Sequence, residues 1–142
     1  MQTLTDKLTF SWPVRVYYED TDAGGVVYNA NYLKFMERAR SEWLRNLGLE
    51  QDLLRKREGV LFVVRRAELD FLRPARFNDL LRITVDLSRR RGASLDFEQE
   101  VRREADGILC CRGLVRVACV NARTLRPDRI PDTLLAEISD VL

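Results

Sequence analysis

Two carboxylates sit two residues apart at Asp20 and Asp22, with Gly24 and Gly25 directly behind them, in the stretch YEDTDAGGVVYNANY. Asp and Gly at this spacing predict a tight turn over 21–28. Apolar residues then recur every three or four positions, which predicts a helix over about 29–46. The turn therefore holds a carboxylate within a few residues of a helix start. The first N–H groups of a helix lack intrahelical partners and attract negative charge, including charge that develops during a reaction. A carboxylate base beside such donors is a complete pair for cleaving an ester or thioester. Taken without further context, a purely conformational role is the favoured reading for both Asp20 and Asp22, since Asp commonly bonds its own backbone in turns.

The chain contains no histidine. Ser-His-Asp and Cys-His catalysis are excluded, as are zinc sites that use histidine. Acid–base chemistry at neutral pH falls to Asp, Glu, Tyr, Lys, Cys or water. Lysine is scarce, with only Lys7, Lys34 and Lys56 against 21 arginines, and the net charge is +2. Basic and acidic residues balance, which argues against a general nucleic-acid binder. Arginine in place of lysine suits bidentate contact with phosphate.

These groups need a frame. At 142 residues, 46% apolar and 32% charged, the chain reads as one globular domain over 1–142. No apolar run is long enough to span a membrane and the first residues lack a signal-peptide core, so a cytoplasmic location is expected. Cys110, Cys111 and Cys119 share one strand-like region, with Cys110 and Cys111 on opposite faces, and read as reduced packing thiols.

Residues 8–20 read as a first strand, with Val14, Val16 and Tyr18 on one face and Pro13 at an edge. The helix over 29–46 gathers Tyr32, Leu33, Met36, Ala39, Trp43, Leu44 and Leu47 on one side, with Asn29 as a good N-cap and Gly48 as its stop. Arg40 falls inside that apolar arc, and Glu37 is placed to pair with it. A short second helix fits 49–58. Period-two alternation then predicts strands over 60–72, 80–89, 93–103 and 108–121, with a hairpin at Ala105-Asp106-Gly107. A last short helix holds Leu134, Leu135, Ile138 and Val141. One strand, one long helix and four strands make an α+β order with an antiparallel sheet.

The run Trp12-Pro13-Val14-Arg15-Val16-Tyr17-Tyr18-Glu19-Asp20-Thr21-Asp22-Ala23-Gly24-Gly25-Val26-Val27-Tyr28 resembles the signature of the 4-hydroxybenzoyl-CoA thioesterase family. Within it, the likeness is greatest to the acyl-CoA thioesterases associated with the tol–pal system. The resemblance implies a hotdog fold, a five-stranded antiparallel sheet wrapped around a long central helix, working as a homodimer or homotetramer with sites at the dimer interface. It implies hydrolysis of acyl-CoA to the free acid and CoA, with no metal and no cofactor beyond the substrate. Asp22 occupies the family's catalytic position, as general base on water or as nucleophile. The backbone N–H of Asn29 would be the oxyanion donor, and the related subgroup usually has histidine at position 29. Arg91 and Ser94, then Arg126 and Arg129, match the positions that hold the CoA nucleotide. The competing reading is a non-catalytic scaffold that holds acyl-CoA or acyl carrier protein near phospholipid-synthesis enzymes.

Overall fold

A computed structural model describes residues 10–138. The chain runs through β1 (Phe10–Arg15), α1 (Asn29–Asn46), α2 (Gln51–Glu58), β2 (Val60–Phe71), β3 (Leu80–Arg90), β4 (Ser94–Arg103), β5 (Leu109–Asn121) and α3 (Asp132–Ile138). All strand pairs are antiparallel, in the order β1-β3-β4-β5-β2. The sheet wraps α1, which is the hotdog arrangement implied by the family signature. Pro13 lies on β1, an edge strand, where its missing N–H costs no ladder bond.

The predicted first strand is too long. β1 ends at Arg15, and Tyr18–Asp20 turn into a short 3-10 segment that leaves Tyr18 76% exposed. Residues 8 and 9, and Val141 of the last helix, lie outside the described residues. At the 105–107 hairpin only Gly107 takes a positive φ, of 71°. Asp106 instead accepts the N–H of Ile108 at 3.1 Å.

Period-two alternation sends Leu81, Ile83, Val85 and Leu87 inward from β3, and Leu95, Phe97 and Val101 inward from β4. α1 lays Tyr32, Phe35, Met36, Ala39, Trp43 and Leu44 on that layer. Each large side chain so buried stabilises the fold by roughly 1.5–3 kcal/mol. The Trp43 ring meets Phe97 edge-on at 5.2 Å. Two details depart from the helical wheel. Phe35 is fully buried, whereas Leu33 is 40% exposed.

α1 meets β5 closely at Gly113. A Cβ built there would lie 2.8 Å from Met36 Sδ and 2.9 Å from its Cε. Met36 is itself fully buried, so it has little room to yield. Gly113→Ala is expected to lower stability by about 1–3 kcal/mol through overpacking. Chemical denaturation reads this, and an unchanged midpoint would mean that Met36 repacks freely.

Arg40 does not pair with Glu37, because no ion pair joins them among the described residues. Arg40 Nη1 instead donates to Gln99 Oε1 at 2.9 Å. Gln99 is fully buried on β4, and its Nε2 donates to Met36 O at 3.1 Å and Thr84 O at 3.2 Å. One glutamine thus satisfies a helix arginine and ties α1 to two strands. Among the described residues, no helix is long and apolar enough to cross a membrane.

Candidate active site

The predicted turn is a small pinned hairpin. Thr21 and Val27 pair antiparallel, Asp22 N–H donates to Val26 O at 2.9 Å, and Gly25 N–H returns to Asp22 O at 3.1 Å. Gly25 takes φ 78°, which a Cβ would disfavour. The loop between β2 and β3 braces the hairpin. Val27 N–H reaches Ala75 O at 2.8 Å, Val26 bridges Arg76, and Ala75 N–H donates to Tyr32 Oη at 3.1 Å. Burial raises the Tyr32 phenol above its ordinary range, against the N–H of Ala75, which lowers it.

The two carboxylates have separate jobs. Asp20 is 3% exposed, and its oxygens accept Tyr17 N–H at 2.8 Å and Asn31 Nδ2 at 2.9 Å. Its backbone oxygen accepts Tyr28 N–H at 2.9 Å. Asp20 therefore locks the start of α1 to the strand before the turn. Asp20→Asn must face one of these two donors with an amide N–H. It is expected to cost about 1–3 kcal/mol of stability, read by thermal melting, and an unshifted melt would remove Asp20 from that role.

Asp22 is exposed in the single chain. Its Oδ1 accepts Gly24 N–H at 2.8 Å, and among the described residues its other oxygen has no partner. The turn-shaping role is thus real, and it leaves one carboxylate oxygen for chemistry.

Asn29 is the first helical residue and not the cap. Tyr28 occupies the cap position, with no side-chain hydrogen bond. The reason is that Asp20 O and the Thr21–Val27 pairing hold the chain extended up to Tyr28. The Asn29 N–H makes no hydrogen bond among the described residues, as expected at a helix start. Asn29→Ala is therefore expected to change stability by less than about 0.5 kcal/mol and to retain turnover. Asn29→His should add a limb near pH 6.5 to a pH–rate profile that otherwise has no histidine to supply one. Loss of all turnover in Asn29→Ala would give the amide side chain a direct part.

The four arginine and serine positions meet at the other end of the sheet. Ile130 N–H donates to Gly92 O at 3.0 Å, joining the β3–β4 turn to the segment before α3, and Cys119 of β5 ties to both, its N–H to Ala93 O at 2.8 Å and its O to Asp128 N–H at 2.9 Å. Arg91, Ser94, Arg126 and Arg129 therefore share one region. Arg91 is engaged by Asp96 at 2.7 Å, and Arg129 lies 3.7 Å from Asp132. Ser94 is almost buried, while Arg126 is exposed. Burial alone would raise Asp96, but hydrogen bonds from Arg116 and Arg91 outweigh it and hold the carboxyl below the usual range. The Asp22 hairpin abuts the start of β3, through Val16 N–H to Asp79 O at 2.9 Å, whereas Arg91 follows the end of β3. An eleven-residue strand separates them by about 35 Å. A single chain does not bring these groups together.

The three cysteines are free and buried. Among the described residues, no group of three or more Cys, Asp or Glu is placed to hold a metal ion.

The family profile of the thioesterase-like superfamily matches residues 16–138. The acyl-CoA thioester hydrolase YbgC of Escherichia coli O6:H1 is 45% identical over 128 residues, covering 90% of this chain and 94% of that protein. The acyl-CoA thioesterase YbgC of Haemophilus influenzae is 43% identical over 127 residues, covering 89% and 92%. Among solved structures, a probable thioesterase from Bartonella henselae superposes with a TM-score of 0.82 at 40% identity, covering 87% of this chain and 99% of that one.

Proposed function

Since this chain belongs to the thioesterase-like superfamily, we propose that it is an acyl-CoA thioester hydrolase whose reacting groups are the Asp22 carboxylate and the Asn29 N–H. The observation that carries this reading is the hairpin itself. Among the described residues, it fixes a carboxylate with one unpartnered oxygen seven residues before an unpartnered amide at a helix start. The free oxygen takes a proton from water, and the water oxygen attacks the thioester carbonyl. The Asn29 N–H and the positive end of α1 hold the oxyanion of the tetrahedral intermediate. Collapse breaks the C–S bond, and the proton returns to the CoA thiolate. Asp22 as nucleophile would form an anhydride that water then opens, with the same products. No metal or redox step enters. Acyl carrier protein presents the same thioester bond and is a second carrier for the acyl group.

The working unit in this reading is a homodimer or a homotetramer built from dimers. β2 is a twelve-residue edge strand with Val63, Val64 and Phe71 each at least 40% exposed, an open apolar edge of the kind that invites pairing. Antiparallel pairing of two β2 strands about a two-fold axis reverses one sheet against the other. The Arg91–Arg129 end of one subunit then approaches the Asp22 hairpin of its partner, so the nucleotide is held by one subunit while the other cleaves. We place the enzyme in the cytoplasm, in keeping with its three free thiols. The direct test is release of CoA thiol from a panel of acyl-CoAs. Release is expected, and binding without release across the panel would make the protein an acyl-CoA holder.

A further inference from the structure

A cavity of about 250 Å³ opens between α1, β2, β4 and β5. Trp43, Phe62 and Phe97 form its apolar wall, and Glu37, Arg40 and Ser41 its polar one. It exceeds the ~150 Å³ that takes up a benzene ring, so an acyl tail of about eight heavy atoms fits.

Arg40 is the unexplained group here. It is half-buried, and no carboxylate lies within 4.0 Å of it among the described residues. One N–H goes to Gln99 Oε1, and no other partner is present among the described residues. Burial lowers the guanidinium's affinity for its proton, and the charge of Glu37 offsets this only in part. The Gln99 bridge, with Nε2 on Met36 O and Oε1 on Arg40, holds the guanidinium level with Met36. Met36 lies seven residues beyond Asn29, about 10 Å along the helix axis. Residues 29, 33, 37 and 40 share one helix face, and Asn29, Leu33 and Glu37 on it are exposed, Leu33 by 40%. That face is an open track from the oxyanion donor to the cavity. An extended chain at ~1.3 Å per carbon covers it in about eight carbons.

Resting on the thioesterase reading, we propose that this cavity is the acyl receptacle and that Arg40 selects acyl chains bearing a hydroxyl about eight carbons from the thioester. Arg40 donates to the hydroxyl oxygen, and the hydroxyl O–H donates to the Glu37 carboxylate on the same wall. A hydrocarbon chain leaves Arg40 with Gln99 as its one hydrogen-bond partner among the described residues. A carboxylate satisfies Arg40 but is repelled by Glu37.

The test compares octanoyl-CoA, 8-hydroxyoctanoyl-CoA and the 8-carbon ω-carboxyacyl-CoA on the wild type, Arg40→Met and Arg40→Lys. For the wild type, kcat/KM for the hydroxyacyl substrate should exceed both others by about tenfold, the value of one hydrogen bond to a charged group. Arg40→Met should collapse this ratio to unity or below, with octanoyl-CoA turnover rising as the wall becomes apolar. Arg40→Lys keeps the charge and should retain part of the preference. Thermal melts and oligomer size identify a misfolded Met variant, in which case the Lys variant and the wild-type ratio decide. A wild-type ratio near one, preference for the ω-carboxy chain, or equal loss on all three substrates in a folded Arg40→Met would overturn the assignment while leaving the hydrolase reading intact. A wild type inert on every acyl-CoA would overturn both.

Discussion

Asp22→Asn should abolish thioester hydrolysis in a chain that melts and assembles as the wild type does. The structure explains why fold and activity separate at this residue. The turn uses one carboxylate oxygen, as acceptor for Gly24 N–H at 2.8 Å, and the asparagine carbonyl keeps that bond. The oxygen lost is the one without a partner among the described residues, so its replacement strands no buried donor. An amide takes no proton from water and is a poor nucleophile. The fall in kcat should approach a thousandfold or more, the upper part of the range for a positioned acid–base group. KM should change little, because Asp22 contributes to the transition state more than to ground-state binding. Measurement of kcat on folded, purified Asp22→Asn decides the point, and near-native turnover would remove Asp22 from the chemistry.

Val63→Asp should dissociate the protein into folded, inactive subunits. Val63 is 40% exposed in the single chain, so a carboxylate there is solvated and the domain survives. In a β2–β2 pair related by a two-fold axis, each residue of one strand meets a residue of the other reflected about the axis, so the substitution enters the interface twice. Two carboxylates are then desolvated in the strand pair with no cation supplied to meet them, which opposes association strongly. Activity should fall by more than about a hundredfold, because in the proposed dimer each Asp22 relies on the other subunit to hold the nucleotide. Light scattering gives the mass and the thiol-release assay gives the turnover. A Val63→Asp monomer with full activity would show that one chain suffices, despite the length of β3 that separates Asp22 from Arg91.

Periodic features were legible in the residues alone. The bounds of α1, the inward set Leu81–Ile83–Val85–Leu87 and the succession of strands along the chain follow from 3.6- and 2-residue spacing, because one buried face imposes its period directly on the sequence. The family signature likewise placed a carboxylate and a helix start in one turn. Contacts between residues far apart in the chain were not legible. Arg40 finds Gln99, 59 positions away, in preference to Glu37 on its own helix, because the helix face at Arg40 looks onto the sheet where a fully buried amide is waiting. Asp20 finds Asn31 across the turn, which makes its role structural although it is as acidic as Asp22. Leu33, expected on the buried side of α1, is 40% exposed, and Phe35, which the spacing did not pick out, is fully buried. The separation of the Asp22 hairpin from Arg91 by about 35 Å is likewise a property of strand length and topology, which local pattern does not contain.

The buried thiols bear on the product of the reaction. Burial pushes Cys111 up to about 12 and Cys119 up to about 11, and raises Cys110 as well. At neutral pH almost none of these side chains is the thiolate that attacks a disulfide, and none is on the surface. An enzyme that liberates a free thiol at every turnover is thereby kept from mixed-disulfide formation with oxidised CoA. The native chain should also stay silent toward aromatic disulfide reagents, so colour that develops during turnover counts CoA alone.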